Sequence, residues 1–371
     1  MSLKPAEELL QEALSAWEWG GTVVGAVRYG AGHINDTFCV YTQTAEGDCV
    51  RFILQRINTN TFKDPAGLME NISGVTSFLR KKIEEKGGDT SRETMNVVAT
   101  KEGKNFYADS NGGAWRVYTF VEGTVCLQKV ESPEDFYASA YAFGQFQQLL
   151  ADYPAATLHE TIARFHDTAN RYANFEKALE ADACGRAKDV QAEIEFVKAR
   201  KADCSVMVDL LAQGKLPLRV THNDTKLNNI LMDKTTRTGI CVIDLDTVMP
   251  GLAANDYGDS IRFGANDCAE DEKDLSKVNF SLPLFETYTK GFLAAAGSAL
   301  TDLEKETLPW GARLMTLECG IRFLTDYLEG DHYFRVHREG HNLDRCRTQF
   351  KLVSDMEKAW DEMMAIVKKY S

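Results

Sequence analysis

Residues 221–233 read THNDTKLNNILMD, a run of histidine, carboxylate, lysine and amides that turns into apolar strand material at Ile230. Ile230–Met232 and Ile240–Ile243 are short apolar segments joined by the turn-rich connection Asp233 to Gly239. Pairing them as a hairpin sets Asn229, at the start of one strand, beside Asp244, at the end of the other. Asp224 then lies on the loop leading in. An amide oxygen next to a carboxylate is a hard donor pair, and it suits Mg2+ whose shell is completed by phosphates and water. A neighbouring carboxylate that is not a ligand can orient an attacking hydroxyl or accept its proton. The pattern H-x-D-x-x-x-x-N followed by I-D after a short hairpin is therefore that of kinase-type phosphoryl transfer to an alcohol. Its alternative is a polar turn that only caps a hairpin, and two linked motifs argue against that reading. Lys226 has two readings: it stabilises charge on the transferred phosphoryl group, or it is a surface lysine on a loop. Asp256-Tyr257-Gly258 looks like a metal-binding motif but lies beyond Pro250-Gly251, too far on to end the hairpin. Asp256 and Asp259 are expected to brace the loop through hydrogen bonds to its backbone.

Such a loop needs a lobe that holds a nucleotide. Gly30-Ala31-Gly32-His33-Ile34-Asn35-Asp36-Thr37-Phe38 is a glycine-bearing turn between two strand signals. There backbone N–H groups can approach phosphates, which makes Gly30, Gly32, Asn35 and Thr37 candidate nucleotide contacts. A basic residue is expected on the third strand, paired with an acid on the following helix. The segment Arg51 to Ile57 offers Arg56, with Gln55 as the competing alignment and no lysine. Arginine can clamp phosphate bidentately, and Glu70 is the expected helix partner. Tyr118 to Glu122 ends the strand-rich region, and Phe120 and Glu122 are candidates for holding adenine.

The elements that must position these groups follow from periodicity and turn signals. Strand signals occur at Thr22–Tyr29, Asp36–Tyr41, Val50–Arg56, Asn96–Thr100 and Ala114–Phe120. One helix is expected among them, Pro65 to Glu85, with Leu68, Ile72, Val75, Leu79 and Ile83 at helical spacing. After Val121 the composition turns helical. Helices are expected from Ser132 to about Ala151, at Asp189–Gln213, Leu282–Ala296, Asp302–Glu329 and Leu343–Tyr370. The expected organisation is thus α+β in two lobes, an antiparallel sheet lobe over residues 1–120 and a larger, mainly helical lobe over 121–371.

The totals narrow the partners. Among 371 residues, 44% are hydrophobic and 26% charged, the balance of a soluble globular chain. The net charge of −13 disfavours duplex nucleic acid and anionic membrane. No apolar run of about twenty residues and no signal peptide is evident. The nine cysteines are scattered without a CxxC pair, and the seven histidines show no HExxH motif. Cytoplasmic placement, reduced thiols and a monomer or weak oligomer are the expectations.

The two motifs THNDTKLNNIL and VIDLD together resemble the aminoglycoside phosphotransferase and choline kinase family, small-molecule kinases with a protein-kinase-like fold. With GAGHINDTF, ILQRIN, DYGDSIRF and GIRFLTDYLEGDHYF added, the chain closely resembles the N-acetylhexosamine 1-kinase branch over roughly residues 20–340. That resemblance implies ATP and Mg2+ as cofactors and N-acetylglucosamine or N-acetylgalactosamine as acceptor. It makes Asp224 the catalytic base, Asn229 and Asp244 metal ligands, and His33, Arg322 and Tyr333 sugar contacts along with Asp224. Homoserine, choline and aminoglycoside kinases share the fold and remain alternatives. A sulfatase is excluded because the C/S-x-P-x-R motif is absent; Ser281-Leu282-Pro283 is followed by Leu-Phe. Intact Asp224, Asn229 and Asp244 argue against a catalytically dead relative.

Overall fold

The structure is a computed structural model that describes residues 3–30, 32 and 34–371. It opens with helix α1 (Ala6–Ser15) and continues into strands β1 (Thr22–Arg28), β2 (Asp36–Gln43) and β3 (Cys49–Ile57). Helix α2 (Pro65–Glu85) follows, then β4 (Val97–Val98), β5 (Tyr107–Ala108) and β6 (Ala114–Thr119). These strands form one antiparallel sheet in the order β1-β2-β3-β6-β4, with β5 also on β6. α2 starts where the sequence places it because the Asp64 side chain accepts from the Gly67 N–H and Pro65 occupies the first turn.

Alternation along β3 and β6 gives the sheet two different faces. Ile53, Ile57, Ala114 and Tyr118 face α2, in a core with Leu68, Ile72 and Leu79. Leu54, Trp115 and Val117 face the opposite side, where Leu9, Trp17 and Trp19 cover them. Gln55 and Arg116 therefore share the α2 face, while Arg56 stands on the other. The helix α1 was not anticipated: AEELLQEALS has helical composition but no side-chain cap to mark its start. The fourth expected strand shrinks to Val97–Val98.

The second lobe is mainly helical, and the α+β, two-lobe organisation expected from the sequence is what forms. It contains β7 (Thr124–Val125), α3 (Pro133–Leu149), α4 (Thr168–Ala181), α5 (Gln191–Lys198), α6 (Val206–Ala212) and β8 (Arg219–Thr221). Next come β9 (Ile230–Asp233), β10 (Gly239–Val242), β11 (Met249–Gly251) and α7 (Ala253–Gly264). It ends with α8 (Leu282–Ala296), α9 (Asp302–Glu306), α10 (Leu308–Glu329), α11 (His341–Lys358) and α12 (Trp360–Tyr370). The single helix expected over 189–213 is two, because the chain turns where Arg200 bonds back to the Phe196 carbonyl and reaches Glu357. The one expected over 302–329 restarts after Thr307, with Pro309 in the new first turn. α4 and α7 were not foreseen.

β9 and β10 pair antiparallel with Val242 opposite Ile230, and β7 adds a third strand beside β9. The hairpin inferred from the sequence thus forms. β8 and β11 make a second ribbon, with Met249 opposite Thr221. α7 lies against α10 at backbone contact. A Cβ on Gly258 would overlap the carbonyl of Gly311, and one on Gly311 would overlap that of Ala254. Both glycines sit in helices despite their low helix propensity, and this close approach accounts for them. Among the described residues, no helix is long and apolar enough to cross a membrane.

Candidate active site

The loop from His222 to Asn229 connects β8 to β9, and its backbone is clamped from α7 and α3. One Asp256 oxygen accepts the N–H of Asn223 at 2.7 Å, and the other accepts the N–H of His222 at 2.9 Å and the Gln147 amide at 2.7 Å. Asp259 accepts the N–H of Thr225 at 2.9 Å and is itself held by Arg262. Thr225 donates to the Asp256 carbonyl at 2.5 Å, and Ser260 donates to the Thr225 carbonyl at 2.6 Å. These contacts give Asp256 and Asp259 the bracing position expected from the sequence. His222 accepts the Asp224 N–H on Nδ1 and donates from Nε2 to the Ile243 carbonyl at 2.8 Å. Its two partners select the neutral Nε2–H tautomer. The same ring ties the loop to the end of β10.

Clamping holds two residues in the left-handed region, Asn223 at φ 64° and Asp244 at φ 60°. That conformation costs an L-residue roughly 1 kcal/mol or more, and the surrounding bonds stabilise it. Asn223 donates to the Thr247 carbonyl at 2.8 Å, and Thr247 donates to the His222 carbonyl at 2.6 Å. Strain of this kind collects where groups must be aimed.

Three expected residues meet here. The Asn229 amide nitrogen donates to the main-chain oxygen of Asp224 at 2.8 Å and to its carboxylate at 3.1 Å. This leaves the amide oxygen as the coordinating atom. The Ile243 N–H donates to the Asn229 carbonyl at 2.9 Å, so Asn229 and Asp244 are held on adjacent backbones. Lys226 pairs with Asp224 at 2.8 Å. Burial raises the Asp224 carboxyl, but the Lys226 ammonium outweighs it and holds the acid below its usual range. Asp224 is therefore ionised at neutral pH.

Asp244 behaves in the opposite way. Enclosure at the base of the cleft, with Asp246 and Asp224 nearby, pushes its carboxyl up from 3.8 to about 6. Its surface remains exposed to the cleft, where a cation can reach it. An amide oxygen and a carboxylate held on adjacent backbones fit a hard divalent cation. No group of three His, Cys, Asp or Glu among the described residues holds a metal unaided. This suits a cation that keeps water and borrows phosphate oxygens. The raised carboxyl has a measurable sign. As a cation ligand Asp244 would have to lose that proton, so cation affinity would increase as pH rises and binding would release a proton. Mn2+ titration of the ADP-bound protein is expected to show affinity falling about tenfold between about pH 8 and about pH 5. Equal affinity at both would remove the raised carboxyl from the site.

The nucleotide-lobe expectations are met unevenly. Gly30, at φ 78°, and Gly32 leave open space where side chains would stand. His33 lies outside the described residues. Thr37 accepts from the Gln55 amide at 3.0 Å. Asn35 turns towards the other lobe: its amide donates to Asp246 at 2.6 Å, and its oxygen accepts the Asn58 N–H. Phe120 lies under the Arg51 guanidinium, which also pairs with Glu122.

Arg56 and Glu70 are corrections. Arg56 sits on the sheet face turned away from α2, beside Asp109 at 3.6 Å and over Trp115. Glu70 instead meets His159 at 2.7 Å. On the α2 face the cation is Arg116, fully buried opposite Gln55 in the β3–β6 register. It donates twice to the Gln55 oxygen, at 3.0 and 2.9 Å, and pairs with Asp246 at 2.5 Å. Sequence reasoning missed it because nothing local marks a strand arginine as facing one side or the other.

Arg322 and Tyr333 do come together, at 3.4 Å, with Phe165 and Phe334 around the guanidinium. Asp326 shapes this rim by accepting the N–H groups of His332, Tyr333 and Phe334. One turn before Arg322 on α10, Glu318 accepts from Thr168 at 2.8 Å and from His166 at 3.0 Å. The other His166 nitrogen faces the Asn223 carbonyl at 3.1 Å. Burial alone lowers His166, but Glu318 outweighs it and keeps the ring charged to higher pH than usual. A buried ion pair thus joins the Arg322 helix to the residue preceding Asp224. Behind the same loop lies a cavity of about 410 Å³, lined by Phe165, His166, Met207, Asn223 and Leu314. None of the expected site residues opens into it.

The comparisons agree with this arrangement. A family model described as phosphotransferase enzyme family matches residues 26–283. The fold is similar to that of an aminoglycoside phosphotransferase from Alicyclobacillus acidocaldarius, with TM-score 0.61 and 12% identity over 100% of this chain and 96% of that one. It is also similar to amicoumacin kinase in complex with AMP-PNP, Ca2+ and Ami, with TM-score 0.60 and 14% identity over 96% and 94% of the two chains. A microcompartment-associated aminopropanol kinase gives TM-score 0.58 and 14% identity over 96% and 98%.

Proposed function

Because the chain belongs to the phosphotransferase enzyme family, we propose that it transfers the γ-phosphoryl group of ATP to the anomeric hydroxyl of an N-acetylhexosamine. The observation that carries the reading is the juxtaposition of Asp224, Asn229 and the Asp244 turn on one clamped loop and hairpin. Asn229 and Asp244 would hold the divalent cation, which when bound neutralises charge on the β- and γ-phosphates.

In the proposed step Asp224, ionised at neutral pH, accepts the proton of the sugar's 1-hydroxyl. The sugar oxygen bonds to the γ-phosphorus, the bond from phosphorus to the β,γ-bridging oxygen breaks, and ADP departs. Lys226, already drawn to Asp224, swings within reach of the transferring group and offsets its charge. Gly30 and Gly32 leave room for the phosphates to approach backbone N–H groups, and the segment from Phe120 to Glu122 is the adenine edge. Arg322 supplies donors to sugar hydroxyls, and Tyr333 offers a flat face to its C–H surface. Positioning and electrostatics account for most of the rate enhancement, since the metaphosphate-like transition state asks little covalent chemistry of the protein.

The test is ATP consumption with a panel of N-acetylglucosamine, N-acetylgalactosamine, glucose, homoserine, choline and kanamycin. The amino sugars are expected to support turnover and the others to be poor. Turnover confined to homoserine, choline or kanamycin would reassign the acceptor while leaving the phosphoryl transfer intact.

A further inference from the structure

Between the sheet and the hairpin lies a polar seam that the catalytic reading does not use. Arg116 enters it from β6, Gln55 from β3, Asn35 from the end of the glycine turn and Asp246 from the turn after Asp244. The seam is dry: Arg116 is 1% exposed and Asp246 3%. The 2.5 Å contact between Arg116 Nη1 and Asp246 Oδ1 is bent away from hydrogen-bond alignment. Both atoms, and the nearby Tyr118 hydroxyl, are buried without an aligned partner among the described residues. A buried carboxylate with one well-made bond, from Asn35, depends on its cation to stay where it is.

What Asp246 anchors is a left-handed turn. Asp244 is at φ 60°, ψ 56°, and the next three residues, Leu245–Thr247, form one 3-10 turn. His222, Asn223 and Thr247 hold this turn from within the helical lobe. From the sheet side Leu245 packs in the α2 core and Asn71 bonds the Val248 carbonyl. Among the described residues, however, only Arg116 and Asn35 bond to a side chain of the turn from there, both through the Asp246 carboxylate, and Arg116 alone brings charge. We infer that Arg116 is a positioning residue for the cation site: acting through Asp246 it sets the aim of Asp244, and it links that aim to the strands that flank the glycine turn. It occupies, from the neighbouring strand, the place where a third-strand cation was expected and where β3 carries Gln55.

The inference rests on the kinase reading only in taking Asp244 to hold a cation. The test is Mn2+ affinity of the ADP-bound protein, read by paramagnetic resonance or calorimetry, alongside adenosine affinity. Arg116→Gln is expected to weaken Mn2+ binding by on the order of 10- to 100-fold, the usual effect of losing a residue that orients a ligand. Adenosine affinity should stay unchanged, and Arg116→Lys should recover part of the loss. Unchanged Mn2+ affinity in Arg116→Gln would overturn the inference. So would an equal loss of adenosine affinity, which marks general damage. Should that variant not fold, Asp246→Asn is read in the same assay, and wild-type Mn2+ affinity there overturns the inference too. A wild-type protein that binds ADP and Mn2+ but phosphorylates no acceptor would sink the kinase reading and leave this comparison intact.

Discussion

Asp224→Asn lowers turnover by roughly 10²- to 10⁴-fold while leaving nucleotide affinity near wild type; that is the largest expected effect in the molecule. The amide keeps the size and most contacts of the carboxylate. Its oxygen still accepts from the Asn229 amide, now 3.1 Å from the carboxylate, and the backbone bonds from Asp256 and Asp259 are untouched. What disappears is the capacity to take a proton and the charge that attracts Lys226. The lysine is about a third exposed, so it relaxes into water without unfolding the loop. Steady-state turnover and ADP calorimetry on the same preparation separate the two effects. Near-normal turnover would remove Asp224 from the chemistry, and a parallel collapse of ADP affinity would make it a scaffold residue.

The second large effect concerns stability. Asp256→Ala is expected to lower the free energy of unfolding by about 3–5 kcal/mol, because each buried donor left without a partner costs about 1–3 kcal/mol. Three such donors face Asp256: the N–H groups of His222 and Asn223 and the Gln147 amide. Water entering the space returns part of the loss, which keeps the figure below the sum. Urea unfolding followed by circular dichroism reads it as a lower midpoint. A change under about 1 kcal/mol, with Mn2+ affinity lost instead, would make Asp256 a cation ligand and return the D-Y-G motif to the role its spelling suggests.

How far the sequence shows this site depends on how local each arrangement is. The hairpin was legible because both strands, their turn and both proposed cation ligands lie within some two dozen positions. α2 was legible because Asp64, Pro65 and the spacing of Leu68, Ile72, Val75, Leu79 and Ile83 agree. Bracing by Asp256 followed from the position of DYG beyond the hairpin. The third-strand cation was not legible. Which of Gln55 and Arg56 faces the cleft depends on strand register, and a shift of one residue exchanges the two faces. Register here is fixed by tertiary packing: Leu54 and Trp115 against the α1 side, Ile57 and Tyr118 against α2. The same packing turns Arg116 inward from a strand some sixty residues away. α7 escaped notice for a related reason. Gly258 makes AANDYGDSIRFG a poor helix on propensity, and only contact with Gly311 explains it.

That contact bears on how acceptor preference can change. α7 carries the braces of the catalytic loop and α10 carries Glu318 and Arg322, and the two helices touch backbone to backbone with no side chain between them. They form a rigid baseplate, so the loop and the inner wall of the acceptor rim keep one relative position. New specificities are therefore reached most cheaply through side chains of the rim segments 160–165 and 332–336, whose anchors, His166 on Glu318 and Asn223 and Asp326 on the backbone of 332–334, stay in place. A directed-evolution library confined to those side chains, with His166, Asp326, Gly258 and Gly311 left fixed, explores acceptors without disturbing the proposed phosphoryl-transfer apparatus.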